Sequence, residues 1–275
     1  VVHNEGVSAL RALAAIQSQT RKPDRVVVVD SSEIKIALPV ESLEVPPKTK
    51  LGGIIAAGLG ATESSADHWL WLVHDDSEPK ATALAELLAA TENSESIAQV
   101  GPMQLVADHP REILQLGLTL SKYGELINPI KGQRDQSQHD SIRDVLAVST
   151  SSMLVRTDAY QLVGGLNDQV ATLAADLDLS MRLRRHGYRV VTAPRAKVAH
   201  SALTIAGSRG RSWLGGNVKT ALRKATIQLR LTHDPLLLAM LYWLVLPLVT
   251  IYRIFWRVAQ KRPSFIWSEL RAGSW

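Results

Sequence analysis

The chain has 275 residues, 46% apolar and 21% charged, which suffices for one large α/β domain with an appendage or for two small domains. It contains no cysteine, which excludes disulfides, thiolate metal sites and a cysteine nucleophile. The net charge of +5 conceals an asymmetry: residues 1–200 hold 20 Lys/Arg against 24 Asp/Glu, a net of −4, and residues 201–275 hold 11 against 2, a net of +9. Five of the seven Trp also fall in that basic tail. Together with a long apolar run, this points to a membrane surface and not to nucleic acid.

Val1-Val2 reads as the tail of a strand, with no signal-peptide pattern around it. A helix follows, capped by Asn4 or Ser8 and carrying Leu10, Leu13 and Ile16. Arg25–Asp30, RVVVVD, is a buried parallel strand ending in an acid. Asp30 either accepts a hydrogen bond from a ribose hydroxyl or base N–H, or starts a turn with Ser31 and Ser32. No G-x-G-x-x-G follows the first strand and no P-loop is present, which disfavours a dinucleotide fold. Ser42–Val45 suggests a short strand. Leu51–Ala61, LGGIIAAGLGA, suggests a helix whose Gly residues permit close approach to a ligand or the sheet.

Trp69–Pro79, WLWLVHDDSEP, organises the chain. Five bulky apolar residues predict a central strand of a parallel sheet, and Pro79 ends its pairing ahead of a helix at Ala81–Thr91. Asp75 and Asp76 therefore stand at a strand's carboxyl end, where open α/β sheets bind ligands. Two adjacent carboxylates either hold a divalent metal with a phosphorylated ligand, or form a solvated turn with a helix cap. Ile97–Val106, Ile113–Leu120 and Val145–Val155 read as strands, and Gly132–Asp144 as a mobile surface loop. The hydroxyl-rich VSTSSMLV at Val148–Val155 either lines a pocket or faces solvent. Asp158–Val163 predicts a short helix stopped by Gly164-Gly165, Leu173–Gly187 a longer one, and Tyr188–Ala193 and Lys197–Ala199 two strands closed by His200. On the longer helix Asp176 and Asp178 lie about 200° apart, since each residue turns ~100°. They cannot share a face, and one of them is expected to pair with Arg182.

These segments resemble, in order, the family 2 glycosyltransferases of GT-A fold over roughly residues 1–205. The opening VVHNEGVSALRALAAIQSQTRKPDRVVVVDSS is similar to that family's first βαβ unit, and VHDDSEP to its metal-binding acidic triplet. SSMLVRTDAYQLVGGLND and ADLDLSMRLRRHGYRV resemble the segments leading into and forming the catalytic helix, and the strand ending in His200 completes the match. The resemblance implies a Rossmann-like, mostly parallel sheet flanked by helices. It implies that Val2, His3, Glu5 and Asp30 cradle base and ribose. Asp76 binds Mn²⁺ or Mg²⁺ bridging the diphosphate, Asp75 stands beside it, and His200 completes the metal shell. Asp176 is the implied general base on the acceptor hydroxyl. His74 stands where the family has an acid facing the donor sugar, and Ala175 where a Glu precedes the catalytic Asp. The chemistry asks for these groups, because the leaving diphosphate needs a cation and the incoming hydroxyl a carboxylate.

Trp213–Leu231 is basic and amphipathic, and Leu236–Tyr252 has no charge but contains Pro247. Basic residues flank both ends of that run, so an interfacial or re-entrant helix pair hinged near Pro247 fits better than a single span. A buried helix packed on the catalytic domain is the alternative. The expected organisation is a nucleotide-sugar half at 1–100, an acceptor half at 101–206 and a membrane-associated tail at 207–275. The expected function is a metal-dependent inverting glycosyltransferase on the cytoplasmic face of the plasma membrane, with a lipid-linked or envelope glycan acceptor. A nucleotidyltransferase and a non-catalytic GT-A-like membrane tether are the alternatives.

Overall fold

The computed structural model describes residues 6–31, 40, 42–47, 49–61, 68–121, 124–201, 218–261 and 266–273. In chain order the elements are α1 (Gly6–Gln17), β1 (Val28–Asp30), β2 (Ser42–Glu44), α2 (Leu51–Gly60), β3 (Trp69–Trp71), β4 (Ser77–Pro79), α3 (Ala83–Thr91), β5 (Ile97–Val106), β6 (His109–Gln115), β7 (Thr119–Leu120) and β8 (Leu126–Ile127). They continue with β9 (Arg143–Asp144), β10 (Leu154–Arg156), α4 (Thr157–Leu162), α5 (Thr172–Arg185), β11 (Arg189–His200), α6 (Val218–His233), α7 (Leu236–Ala259) and α8 (Ile266–Gly273).

A seven-stranded sheet forms the centre, in the order β3-β10-β5-β11-β4, with β6 on β5 and β9 on β11. Its longest ladder is the parallel pair β5–β11, from Arg189 opposite Ile97 to His200 opposite Val106. A fully buried apolar run such as β5 requires cover on both faces. On one face Leu179 and Leu183 of α5 pack with Ile55, Leu72, Ala98, Met153 and Val190. On the other, Leu84 and Leu87 of α3 pack with Ile97, Val100, Leu154 and Val191. The result is a helix–sheet–helix layering that holds the carboxyl ends of β5 and β11 at one edge.

Several expectations need correction. Trp69–Trp71 is not a central parallel strand: it pairs antiparallel with β10, and β1 pairs in parallel with β2 in a separate two-stranded sheet. The bulky run reports two covered faces, since Leu70 joins one core cluster and Trp69 and Trp71 the other. Face cover says nothing about how many edges are paired. An apolar cavity of about 650 Å³ lies between β1 and β3. Of Val145–Val155 only Leu154 and Val155 lie in a strand, which continues to Arg156, and residues 150–152 turn. Tyr188–Ala193 and Lys197–Ala199 are one strand, irregular between Ala193 and Lys197 where Pro194 interrupts the ladder. The stretch 132–144 contributes β9 to the sheet and an Asp135–Lys197 ion pair.

The small residues of α2 do allow a close approach. The Gly52 and Gly53 amides donate to the two carboxylate oxygens of Asp168 at 2.9 and 3.0 Å, satisfying the open N-terminus of the helix. A Cβ on Gly52 would lie 2.8 Å from that carboxylate, so the contact requires glycine.

At the other end, α6 packs on α5: Ala225 and Leu229 share a buried cluster with Ala174 and Leu177. The next helix, α7, runs unbroken through Pro247, so the expected hinge does not divide it. Proline removes one helical hydrogen bond but leaves the remaining turns intact. Leu236–Trp256 is long and apolar enough to cross a membrane, and only 17% of its most apolar window is buried. Its inner stripe, Ala239, Tyr242 and Leu246, is buried, and Tyr242 and Leu246 pack on Ile227 of α6 and Ala272 of α8.

Candidate active site

Strand register assembles the site. β4 runs antiparallel to β11 with Ser77 opposite His200, so Asp76, one residue before the strand, meets the end of β11. The Ser201 amide donates to the Asp76 carbonyl at 3.0 Å and locks that junction. On the other side the His74 amide donates to the Ser151 carbonyl at 2.9 Å, which draws the Ser149–Ser152 segment alongside the acidic turn.

His74, Asp76 and His200 each bring one ligand atom to a common point, all within 4.8 Å of one another. Donors around one ion at ~2.1 Å bond lengths stand up to ~4.2 Å apart, so small inward movements close this group on a cation. His200 Nε2 lies 3.2 Å from Asp76 Oδ1. Two imidazoles and a carboxylate fit a divalent transition metal better than Mg²⁺, which prefers oxygen. Asp75 and Asp76 are both buried, at 2% and 5% exposure. The solvated turn is thereby excluded.

Asp176 lies on α5 facing the same edge. Its Oδ1 accepts the Thr150 amide at 3.1 Å. Burial pushes its carboxyl above the ordinary aspartate value, while the Thr150 and Ser149 bonds and the nearby His200 pull the other way without winning. A carboxylate with a raised pKa is a stronger proton acceptor. Asp178 takes the opposite role. It is fully buried, bonded by Arg182 Nη2 at 2.7 Å and by His233 Nε2 at 2.9 Å. Arg182 also donates to the carbonyls of Val163 and Gly165, so this cluster fastens α5 to the turn after α4.

Asp30 ends β1, is 4% exposed, and belongs to the separate β1–β2 sheet. Val2, His3 and Glu5 lie outside the described residues. His74, expected beside the donor sugar, stands in the possible metal group. Sequence reasoning missed Gln104 and His233. Gln104, like Gln99, breaks the apolar run of β5 and is 2% exposed, and a buried amide in such a run needs polar partners. That was a usable signal. His233 gave none, because only the docking of α6 brings it to α5.

Residues 69–268 match the glycosyl transferase family group 2, and the chain belongs to that family. It is 27% identical over 231 residues to the galactofuranosyltransferase GlfT1 of Mycolicibacterium smegmatis, covering 80% of this chain and 74% of that protein. It is 27% identical over 195 residues to the O-antigen chain rhamnosyltransferase WbaN of Salmonella anatum, covering 68% and 59%. Among solved structures it superposes on GalNAc-T7 bound to UDP, GalNAc and Mn²⁺ with a TM-score of 0.61 at 14% identity. That match covers 85% of this chain and about half, 47%, of the other, and it shows the fold alone: the chain has the GT-A architecture. The chain is a glycosyltransferase, which removes the nucleotidyltransferase and the non-catalytic tether as alternatives.

Proposed function

We propose that this glycosyltransferase moves a sugar from a nucleoside diphosphate to a lipid-linked or cell-envelope glycan, with inversion and with a divalent metal, at the cytoplasmic face of the plasma membrane. The observation that carries the reading is the convergence of His74, Asp76 and His200 at the sheet edge that Asp176 also faces. When bound, a divalent cation there neutralises charge developing on the leaving diphosphate. His74, Asp76 and His200 hold it. Asp30 and Asp75 bind the nucleotide and sugar together with Val2, His3 and Glu5. The Thr150 amide orients the Asp176 carboxylate, which takes the proton from the acceptor hydroxyl as that oxygen attacks the anomeric carbon. A single displacement of this kind inverts the anomeric centre and asks for no enzyme nucleophile.

The relatives' names make galactofuranosyl and rhamnosyl donors the first to test, and the two imidazoles favour Mn²⁺ over Mg²⁺. Membrane association is supported by the outer face of α7, where Leu237, Trp243, Leu244, Leu248 and Phe255 are exposed. The buried inner stripe of this helix, packed on α6 and α8, favours a helix lying on the bilayer over one crossing it. The test is a thermal-shift panel of nucleoside diphosphates and nucleotide sugars with and without Mn²⁺. A ligand that binds only the folded state raises Tm by mass action. The reading expects one nucleotide to stabilise the protein only with the metal. Equal shifts with and without metal would remove the metal from it.

A further inference from the structure

The metal reading leaves a buried chain of hydrogen bonds unexplained. Gln104 of β5 lies with its Oε1 3.1 Å from His200 Nδ1, and its Nε2 donates to Ser151 Oγ. Ser151 Oγ in turn lies 3.2 Å from Ser149 Oγ. Gln104 and Ser151 are both buried, and the β5–β11 register holds Gln104 beside the end of β11 that carries His200.

We infer that Gln104 is a positioning residue, itself oriented by Ser151, that holds His200 in the tautomer a metal ligand needs. The inference rests on the metal reading above. An imidazole that gives Nε2 to a metal carries its proton on Nδ1. That proton is donated to Gln104 Oε1, which turns the amide so that Nε2 donates to Ser151. Ser151 then donates to Ser149, and every donor from His200 to Ser149 points the same way.

The opposite polarity follows from the other tautomer. With the proton on Nε2, His200 donates to Asp76 Oδ1, 3.2 Å away, and Nδ1 becomes an acceptor. Gln104 then presents its NH₂ to His200 and its oxygen to Ser151. Ser151 donates to Gln104, and Ser149 donates to Ser151. Both polarities satisfy the buried groups from His200 to Ser151, and only the first leaves His200 Nε2 free to take a metal.

The test is Mn²⁺ binding to the full chain by calorimetry without any donor. Gln104→Leu removes the acceptor for Nδ1–H and is expected to weaken Mn²⁺ about 10–100-fold, the usual effect of losing such a partner. Gln104→Glu keeps an acceptor there and is expected to restore affinity to near wild type, which a merely structural role would not predict. If wild type takes up no Mn²⁺, the metal reading falls and this inference with it. If wild type binds but Gln104→Leu binds equally well, or Gln104→Glu is as weak as Gln104→Leu, only the positioning role falls.

Discussion

Asp176 and Asp178 are two residues apart on α5 and meet different surroundings: Asp176 accepts the Thr150 amide at 3.1 Å, and Asp178 is buried between Arg182 and His233. The helical turn of ~200° between them separates the proposed base from a group that fastens the helix.

Asp176→Asn preserves shape and removes the proton acceptor, so kcat should fall ~10²–10⁴-fold with donor affinity little changed. Asp178→Asn should instead cost stability of ~3–5 kcal/mol, because Arg182 and His233 lose the charge they enclose. Burial alone would raise the Asp178 carboxyl, but the His233 and Arg182 bonds more than reverse it and hold it low. That stability is present above the unfolded value of ~3.9 and is lost as pH falls through the lower folded value. Chemical denaturation of both variants, beside turnover with donor and acceptor, separates the two roles. A dead Asp178→Asn enzyme with a near-normal Asp176→Asn would reverse the assignment.

Activity should decline on the acid side at a higher pH than an ordinary aspartate would dictate. Burial raises the Asp176 carboxyl, and the base works only when ionised, so protonation removes activity as pH falls through that raised value. The kcat–pH profile with metal and donor saturating measures it. An acid limb at or below the ordinary value of ~3.9 would contradict this.

Asp76→Ala should abolish the effect of Mn²⁺ on nucleotide affinity while leaving the fold intact. The residue contributes the carboxylate of the three-ligand group and lies at a strand junction held by its own carbonyl, which the substitution keeps. Calorimetric titration of the nucleotide at saturating Mn²⁺ decides it, and wild-type affinity would dismiss Asp76 as a ligand.

Removing residues from 207 onward would strip Ala225 and Leu229 from the buried cluster on α5, so truncation is a poor probe of membrane contact. Leu244→Glu combined with Phe255→Glu places two charges on exposed positions, 68% and 71% accessible, without touching that cluster. Co-sedimentation with anionic vesicles should weaken sharply while the melting temperature stays near wild type. Undiminished sedimentation would assign the apolar face to something other than lipid.

The strands and helices were legible wherever periodicity and punctuation agreed. Ile97–Val106 appears with the expected limits, and the helix ending at Gly187 ends because that residue adopts φ +86°. The separation of Asp176 from Asp178 followed from helical geometry, and the resemblance, by taking Asp176 for the cleft, left Asp178 to meet Arg182. Pairing partners were not legible. The run at Trp69–Trp71 encodes cover on two faces and carries no record of strand neighbours, and Pro247 signals a lost hydrogen bond without saying whether the helix continues. The convergence of His74 on His200 depends on β4 meeting β11 across more than a hundred residues, a distance no local pattern spans.

Arg253 lies on α7, yet its guanidinium binds Glu269 of α8 at 3.0 Å and Glu125, just before β8, at 2.9 Å. The apolar helix is thus clamped to the body that carries the cleft, and the two tilt together. Whatever surface that helix rests against sets the angle and height of the cleft above it. An acceptor attached to the same surface has to reach a mouth at a fixed elevation, so the length of its tether becomes a criterion of selection independent of the sugar it displays.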